Sequence, residues 1–400
     1  MLRFRFLVVY AVMFGVQTVT AVTETVNGIT WTYSVANGVA SVGGGTFDLP
    51  AIPKTTSGTI TIPSTLGGNS VRSIGHYAFY NCSGLTSVTI PDSVTNIGVS
   101  AFSGCSGLTS VTIPNSVTSI GDSAFSGCSG LKEMTLPFVG ARRGNTGTAD
   151  ALFGYIFGTS SYAGGTQRRQ YYSSLYSSTY YVPSNLKTVV ITDETILAYG
   201  AFYGCGGLTG VTIGNGVRSI GELAFFNCSG LTSVTIPASV TSIRDRAFSG
   251  CSRLTGVHIT DLAAWCGISF SSSFANPLYY ANNLYLNGSL VTDLMIPDGV
   301  KSIRDDAFSG CSGLTSVTIP DSVTSIGYQA FYGCSESLFD TTAIPGVKLV
   351  DGWAVGTTGE LSGNLDLTGI RGFGSYAFSG CSGLTGVTIG NGMTDRKSVV

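Results

Sequence analysis

The sequence predicts a solenoid, in which short coils of chain stack on one another and share one apolar core. Three observations predict this fold class. A phrase close to AFSGCSGLTSVTIP recurs through most of the 400 residues, and its Ala-Phe-x-x-Cys centre appears nine times. Most successive copies lie 23 residues apart. The apolar residues keep their places in the repeat while the polar ones vary, which is typical of units that bury a shared core by stacking.

One repeat shows how each element of a coil arises. Residues Leu85–Ile90 alternate apolar and polar side chains and are rich in β-branched residues, which predicts a short strand with one buried face. The Pro-Asp pair that follows predicts a turn. Val94 and Ile97 then predict a second short strand. The spacing of apolar residues over 101–108 predicts a turn of α or 3₁₀ helix, which completes the coil.

Stacking would place equivalent residues of successive coils about 4.8 Å apart, in columns of like side chains. The repeat alanine-phenylalanine pair and the cysteine that follows it are the predicted core. Removing one such phenylalanine side chain would cost about 3–5 kcal/mol. The predicted structural core residues are Phe79, Phe102, Phe125, Phe202, Phe225, Phe248, Phe308, Phe331, Phe378, Cys105, Cys128, Cys228 and Cys251.

Departures from the repeat define the remaining segments. Residues 22–54 predict a β-rich N-terminal cap around Trp31, because an end coil needs a cover. Repeats predicted at 55–136, 186–259 and 294–394 are separated by a Tyr/Gly/Ser-rich first insertion and an aromatic second insertion; a degenerate repeat is expected near 338–367. The first insertion covers residues 137–185 and the second covers residues 260–293. The last six residues, 395–400, break the repeat in mid-phrase, and we expect them to be a non-native tail.

The first 21 residues predict a secretory signal peptide. Two arginines, Arg3 and Arg5, precede an apolar run of 11 residues, Phe6–Val16. That run is too short for a membrane span, which needs about 20 residues. Small residues follow and end at Ala21, where we expect cleavage. The mature chain is therefore expected to be secreted or held at a cell surface, with no membrane span of its own.

Composition excludes several function classes. Charged residues make up only 10% of the chain, and the net charge of -2 gives no basic field to hold a nucleic acid. Two histidines and few carboxylates leave little material for acid–base or metal chemistry. We therefore expect no enzyme activity, no catalytic residues, no metal and no cofactor. The expected form is a monomer that binds a protein or glycan.

The pattern L-x-x-V-x-I-P-x-x-V-x-x-I-G-x-x-A-F-x-x-C resembles the BspA-like, treponemal type of leucine-rich repeat. The resemblance covers most of residues 55–394, apart from the two insertions. It implies a right-handed leucine-rich-repeat solenoid with short parallel strands on its concave side. It also implies a secreted or surface protein of bacteria and some protists, described in adhesion or host interaction.

Ten cysteines in an exported protein raise the question of disulfides. Nine of them fall in the repeat column, where a free cysteine acts as a small buried hydrophobe. Pairing along an odd-numbered column would be incomplete, and parallel side-chain vectors make the disulfide torsion awkward. Both states stay open. Cys266 lies outside the column and is the predicted reactive thiol.

The outward position of the repeat strand is neutral and rich in hydroxyl groups. Threonine suits any exposed strand, so this face has an ordinary structural explanation. It could also offer many modest hydrogen bonds to a protein or a glycan, or order water as ice-binding solenoids do. The candidate ligand-binding residues on it are Thr89, Thr112, Thr212, Thr235, His258 and Thr318.

The two insertions are the other candidate binding surfaces, because long loops on a rigid scaffold often carry function. Tyrosine and arginine together make an adaptable contact surface. The same residues would also suit small hairpins packed on the edge of the solenoid. The candidate ligand-binding residues here are Arg168, Arg169, Tyr171, Tyr172, Tyr180 and Trp265.

These observations favour an exported, non-enzymatic recognition protein that mediates protein binding or adhesion at a bacterial cell surface. The alternative is a secreted carbohydrate-binding or carbohydrate-active protein. A purely structural spacer of the cell envelope is a third reading, and it predicts no specific ligand.

Overall fold

A computed structural model describes residues 20–46 and 48–390. The predicted signal peptide, except its last two residues, and the predicted tail at 395–400 lie outside the described residues. By internal packing the chain divides into two units. The first comprises Met1–Gly216 with Asn227–Gly230, and the second comprises Val217–Phe226 with Leu231–Val400. Each unit is a stack of coils of the predicted kind, so the predicted fold class, a leucine-rich-repeat solenoid, is confirmed.

The first unit carries two parallel ladders of repeat strands. The main ladder pairs neighbouring coils in the order Gly58–Thr61, Leu85–Thr89, Ser110–Thr112, Glu133–Leu136, Thr188–Ile191 and Gly210–Thr212. The second ladder consists of the short strands Asn69–Ile74, Asn96–Ile97 and Ser119–Ile120. Thr65–Leu66 pairs antiparallel to the first of these, and Ile196–Leu197 is a further short strand of the same type. Because Glu133 pairs directly with Thr188, the main ladder bypasses the first insertion.

Three antiparallel strands cover the first coil, at Ala21–Val26, Ile29–Ala36 and Val39–Val42. The third strand then pairs parallel with Asn69–Ile74 of the second ladder. Trp31 is buried and its ring meets Phe79 edge-on at 6.3 Å between centroids. This three-stranded meander therefore closes the end of the apolar core, and the indole of Trp31 packs on that end.

The second unit repeats the two ladders with shorter strands. Its main strands are Ser233–Thr235, Gly256–Ile259 and Leu284–Leu286, with Ser289–Leu290 antiparallel to the last, and then Asp293–Met295 beside Ser316–Thr318. Its second strands are Ser219–Ile220, Ser242–Ile243 and Ser269–Phe270, and then Ser302–Ile303 beside Ser325–Ile326. Three of these strands, at 269–270, 284–286 and 289–290, lie inside the second insertion, which therefore supplies rungs of its own.

The last part of the second unit departs from the regular coil. A hairpin of Val347–Val350 and Trp353–Thr357 precedes Ser362–Leu367, which pairs parallel with Gly383–Ile389; Gly372–Phe373 pairs with the second hairpin strand. The helices within the described residues are all short. The α-helices are Leu262–Cys266 and Leu278–Ala281, and the 3₁₀ helices are Ala149–Ala151, Phe153–Phe157, Ser273–Ala275 and Glu336–Leu338.

The Ala-Phe-x-x-Cys segment forms a series of tight turns rather than the predicted helical turn. Each is closed by bonds to the residue three earlier, as from Cys105 N–H to Phe102 O at 3.1 Å. A helix cannot run through it, because two positions in every copy have positive φ. Two residues after the phenylalanine stands Gly or Asn, such as Gly104, which adopts this conformation cheaply. The second position with positive φ lies two residues before the phenylalanine, and its residue type varies from copy to copy.

The apolar columns lie in the interior of each unit. Eight of the nine predicted core phenylalanines are buried, and Phe378 is half-buried. Rings of adjacent coils stack, with centroids 4.9 Å apart for Phe79 and Phe102 and 5.1 Å apart for Phe225 and Phe248. Like side chains therefore pack on like within each stack.

Candidate functional site

The cysteine column has a structural role that sequence reasoning missed. The buried thiol of Cys105 donates a hydrogen bond to the carbonyl oxygen of Phe79, 3.0 Å away in the preceding coil, and Cys128 does the same to Phe102 at 3.2 Å. Cys228 and Cys251 repeat the contact within their own units. Burial raises the pKa of the Cys105 and Cys128 thiols. The four hydrogen bonds tie neighbouring coils together, and the raised pKa leaves Cys105 and Cys128 protonated at neutral pH.

The threonine face of the first unit is built by register. Threonines of successive coils lie directly opposite one another in the main ladder, and their neighbours on either side, such as Val111 and Ile113, are buried. Thr89 and Thr112 are exposed. The column runs through Thr61, Thr89, Thr112, Thr135, Val190 and Thr212. A different threonine column is structural, because Thr109 Oγ1 donates to Thr86 O at 3.3 Å.

A shallow groove of about 260 Å³ crosses this face. Its lining includes the hydroxyl-bearing residues Ser87, Thr89, Ser110 and Thr112, with the carboxylate of Asp92 at its edge. Such a groove can hydrogen-bond an extended polar chain, but it supplies no acid–base pair for chemistry.

The same column changes character in the second unit. Thr235 lies opposite His258, and His258 lies opposite Tyr285, whose ring stacks on the imidazole with centroids 4.6 Å apart. Gly256 leaves room for this stack, because a Cβ there would lie 3.0 Å from the tyrosine ring. Thr318 is exposed beside Met295, whose side chain is 71% exposed. The structure therefore separates the six candidates into a hydroxyl set and an aromatic and apolar set.

The first insertion forms a two-stranded hairpin, Gly165–Tyr171 with Ser177–Pro183, that rests on the first unit. Buried Gln170 anchors it: its carbonyl accepts from Gly154 N–H at 2.7 Å, and its amide donates to Tyr203 O at 3.2 Å. The hairpin backbone also approaches the coil closely at Gly200, where a Cβ would lie 1.9 Å from Tyr171 O. Strands and anchors hold the loop at 172–176 clear of the core.

We call the cluster at this loop the hairpin-tip patch; its exposed members are Arg169, Leu175 and Tyr176, and its half-buried members are Tyr171, Tyr172 and Tyr203. Its most exposed members are Leu175 at 82% and Tyr176 at 61%. The guanidinium of Arg169 lies over the ring of Tyr171 at 5.2 Å and its Nε donates to Ser177 Oγ at 3.0 Å. The rings of Tyr171 and Tyr203 meet at 4.9 Å, and those of Tyr172 and Tyr176 stack at 6.0 Å.

Two of the predicted contact residues are in the interior. Tyr180 is 3% exposed and its hydroxyl donates to Ala149 O at 2.8 Å. Trp265 is 1% exposed and its indole N–H donates to Ala307 O at 2.9 Å. Their aromatic rings fill the space between insertion and coil, so neither can contact a ligand, and the prediction for both was wrong. Arg168 is half-buried, opposite Tyr180 in the hairpin register.

The second insertion packs its predicted contact residue inward, although Phe274 and Tyr279 stay exposed. Buried Asn276 donates to Asp306 O at 2.7 Å, and short helices carry Trp265 and Leu278 into the core. Cys266 is also buried, and burial raises its pKa to about 12. A thiol with that pKa is protonated at neutral pH and out of reach, so the prediction of a reactive cysteine was wrong.

Nothing in residues 20–46 and 48–390 assembles three His, Cys, Asp or Glu side chains into a group suited to a metal ion. No helix in these ranges combines the length and the apolar composition that crossing a bilayer needs. What the described structure does offer is surface: the threonine face and the hairpin-tip patch.

A family model of the BspA type leucine rich repeat region matches residues 55–140, 173–276 and 280–397 in six copies. The leucine rich repeat protein of T. pallidum is similar, at 23% identity over 57% of this chain and 78% of that one, with a TM-score of 0.31. So is a leucine rich cell surface protein of Faecalibacterium prausnitzii A2-165, at 23% identity over 94% and 98%, with a TM-score of 0.33. No curated protein matches the chain. The family model covers more than half of the sequence, and the protein belongs to the BspA-type leucine-rich-repeat family.

Proposed function

We propose that the protein is an exported, non-enzymatic recognition protein, which binds a protein ligand through the hairpin-tip patch in adhesion at a bacterial cell surface. The single observation that carries the proposal is the exposure of large side chains at the tip. Leu175 is 82% exposed and Tyr176 is 61% exposed, beside three further tyrosines and an arginine. Contiguous exposed apolar surface on a soluble protein is typical of an interaction site.

The composition of the patch favours a protein partner. Tyrosine and arginine are enriched among the residues that contribute most to protein–protein affinity. Tyrosine buries a large area with only two side-chain torsions, and arginine presents several hydrogen-bond donors on a planar group. Arg169 is already held by Ser177 and by the Tyr171 ring, so it loses little freedom on binding. The buried anchors Gln170 and Tyr180 support the strands beneath.

The test compares two double variants on arrays of extracellular-matrix proteins and of glycans. Leu175→Ser with Tyr176→Ser removes the apolar tip, and Met295→Ser with Tyr376→Ser removes equally exposed side chains elsewhere. We expect the tip variant to lose about ten-fold or more in affinity for a matrix protein, and the control variant to bind like the natural protein. Equal binding by both would contradict the proposal.

Other outcomes of the same arrays separate the alternatives. Binding to glycans alone would favour the carbohydrate-binding function, and turnover of a polysaccharide would overturn the non-enzymatic one. A second pair, Thr89→Lys with Thr112→Lys, blocks the groove on the threonine face. Loss of matrix binding in that pair, with the tip variant unaffected, would move the site to the threonine face.

A further inference from the structure

A cavity of about 780 Å³ in the last part of the second unit belongs to no surface described above. It lies among the turn at 340–346, the end of the hairpin at Asp351 and Gly352, and the strand Ser362–Leu367 with the loop after it. Its volume falls in the range of about 300–1,000 Å³ that holds small ligands.

One wall of the cavity is apolar. Leu365 and Ile370 are each 8% exposed and belong to the hydrophobic cluster that also contains Leu349. Leu361 and Leu384, which are half-buried, pack against that cluster and line the same cavity. The core of this part of the unit therefore opens into the cavity and presents aliphatic surface to whatever enters it.

The polar side of the cavity is negative. Its lining includes Asp340, Asp351 and Asp366, and contains no lysine, arginine or histidine among the described residues. Asp340 Oδ1 accepts from Thr342 N–H and Oγ1–H, both at 2.8 Å, and Asp366 Oδ1 accepts from Thr368 N–H at 2.9 Å. These hydrogen bonds lower the pKa of both carboxyl groups, so both are ionised at neutral pH.

Asp351 is occupied differently. Its Oδ2 accepts from the backbone N–H of Ile319 and from the guanidinium of Arg371, both at 2.7 Å. Arg371 also donates to Ile319 O at 2.7 Å. Asp351 and Arg371 together therefore bond both backbone groups of Ile319, the residue that follows the strand Ser316–Thr318. Asp340 and Asp366 are therefore the two carboxylates with charge to offer a ligand.

We propose that this cavity binds a small amphipathic cation, whose ammonium group is held by Asp340 and Asp366 and whose alkyl chain packs on Leu361, Leu365 and Ile370. Charge complementarity selects the cation, because the lining holds carboxylates and aliphatic side chains together without a basic residue. The site is independent of the hairpin-tip patch, which is part of the first unit.

Isothermal titration of the full chain with octylammonium chloride tests this site, with octyl sulfate and octanol as matched probes of the same chain length. We expect octylammonium to bind at least five-fold more tightly than either, with an advantage that shrinks as salt rises. Asp340→Asn with Asp366→Asn is expected to remove that advantage. Asp48→Asn with Asp298→Asn changes the net charge equally at exposed positions outside the cavity and is expected to leave it intact.

A second variant tests the apolar wall. Leu361→Ser is expected to weaken octylammonium and octanol alike, while thermal melting confirms that the chain still folds. Equal affinity for the three probes, or octylammonium binding that survives the Asp340/Asp366 pair, would overturn the proposal.

Discussion

The two insertions interrupt the stack of coils at the same place in the repeat, and each must satisfy backbone carbonyls that an adjoining coil would otherwise bond. In the first insertion Phe153 N–H donates to Ala201 O at 2.9 Å, and the Gln170 side chain donates to Tyr203 O at 3.2 Å. In the second, the side chains of Trp265 and Asn276 donate to Ala307 O and Asp306 O. A buried amide thus serves both, because it is a compact donor that fits beneath a coil.

The insertions differ in where their remaining residues lie. The first sends two strands away from its anchor and exposes Leu175 and Tyr176. The second folds its short helices over the coil and buries Asp306 and Ser309, whose Oδ1 and Oγ atoms have no hydrogen-bond partner in the described part of the chain. An insertion exposes its tip when strands carry it past its anchor, and is largely buried when helices fold it back over the coil.

The largest expected effect comes from Trp265→Ala, which attacks the anchor of the second insertion. It removes a buried indole together with the hydrogen bond from the indole N–H to Ala307 O. We therefore expect a loss of about 3–5 kcal/mol in the free energy of unfolding. Chemical denaturation measures the loss, and hydrogen exchange over residues 304–311 locates it. Phe274→Ala, in the same insertion but at a side chain 46% exposed, should cost under about 1 kcal/mol. Similar losses in both would contradict the assignment of Trp265 as the anchor.

A smaller effect is expected where the first insertion meets its coil. Gly200 has a φ of 59°, and a Cβ there would overlap Tyr171 O at 1.9 Å. Gly200→Ala should therefore displace the hairpin and cost about 2 kcal/mol, with faster hydrogen exchange over residues 165–183. The matched control is Leu223→Ala. Leu223 occupies the same repeat position at φ 55°, so a residue with a Cβ already adopts the positive φ there. If both substitutions are equally mild, the close approach does not anchor the hairpin.

The comparison also explains how far the sequence alone could lead. The coils were predictable, because residues such as Phe102, Cys105 and Val111 recur at a fixed period and a fixed period predicts stacking. Whether the side chains of each insertion would be exposed or buried could not be predicted from the sequence. Tyr180 and Tyr176 are the same residue type four positions apart, but Tyr180 lies in the strand Ser177–Pro183 and is buried, whereas Tyr176 lies in the loop before that strand and is exposed. Gly200 was the available signal, since the other copies of that position carry larger residues.

The smallest effect expected is a gain in stability, at the carboxyl group that the second insertion buries. Burial, with the neighbouring charge of Asp305, raises the pKa of Asp306 from 3.8 to about 6. Below pH 3.8 the group is protonated in both the folded and the unfolded chain and costs nothing. As pH rises to 6, the unfolded chain releases the proton first, so the free energy of unfolding falls, and above pH 6 the full penalty remains.

Asp306→Asn removes that penalty and suits the positive φ of 59° at this position. We expect it to stabilise the protein by about 1–2 kcal/mol at pH 7.5 and by little at pH 3.5, measured by denaturation at both pH values. Asp298→Asn, at an exposed position, controls for net charge, and a gain from Asp306→Asn that persists unchanged at pH 3.5 would show that a buried charge is not its cause.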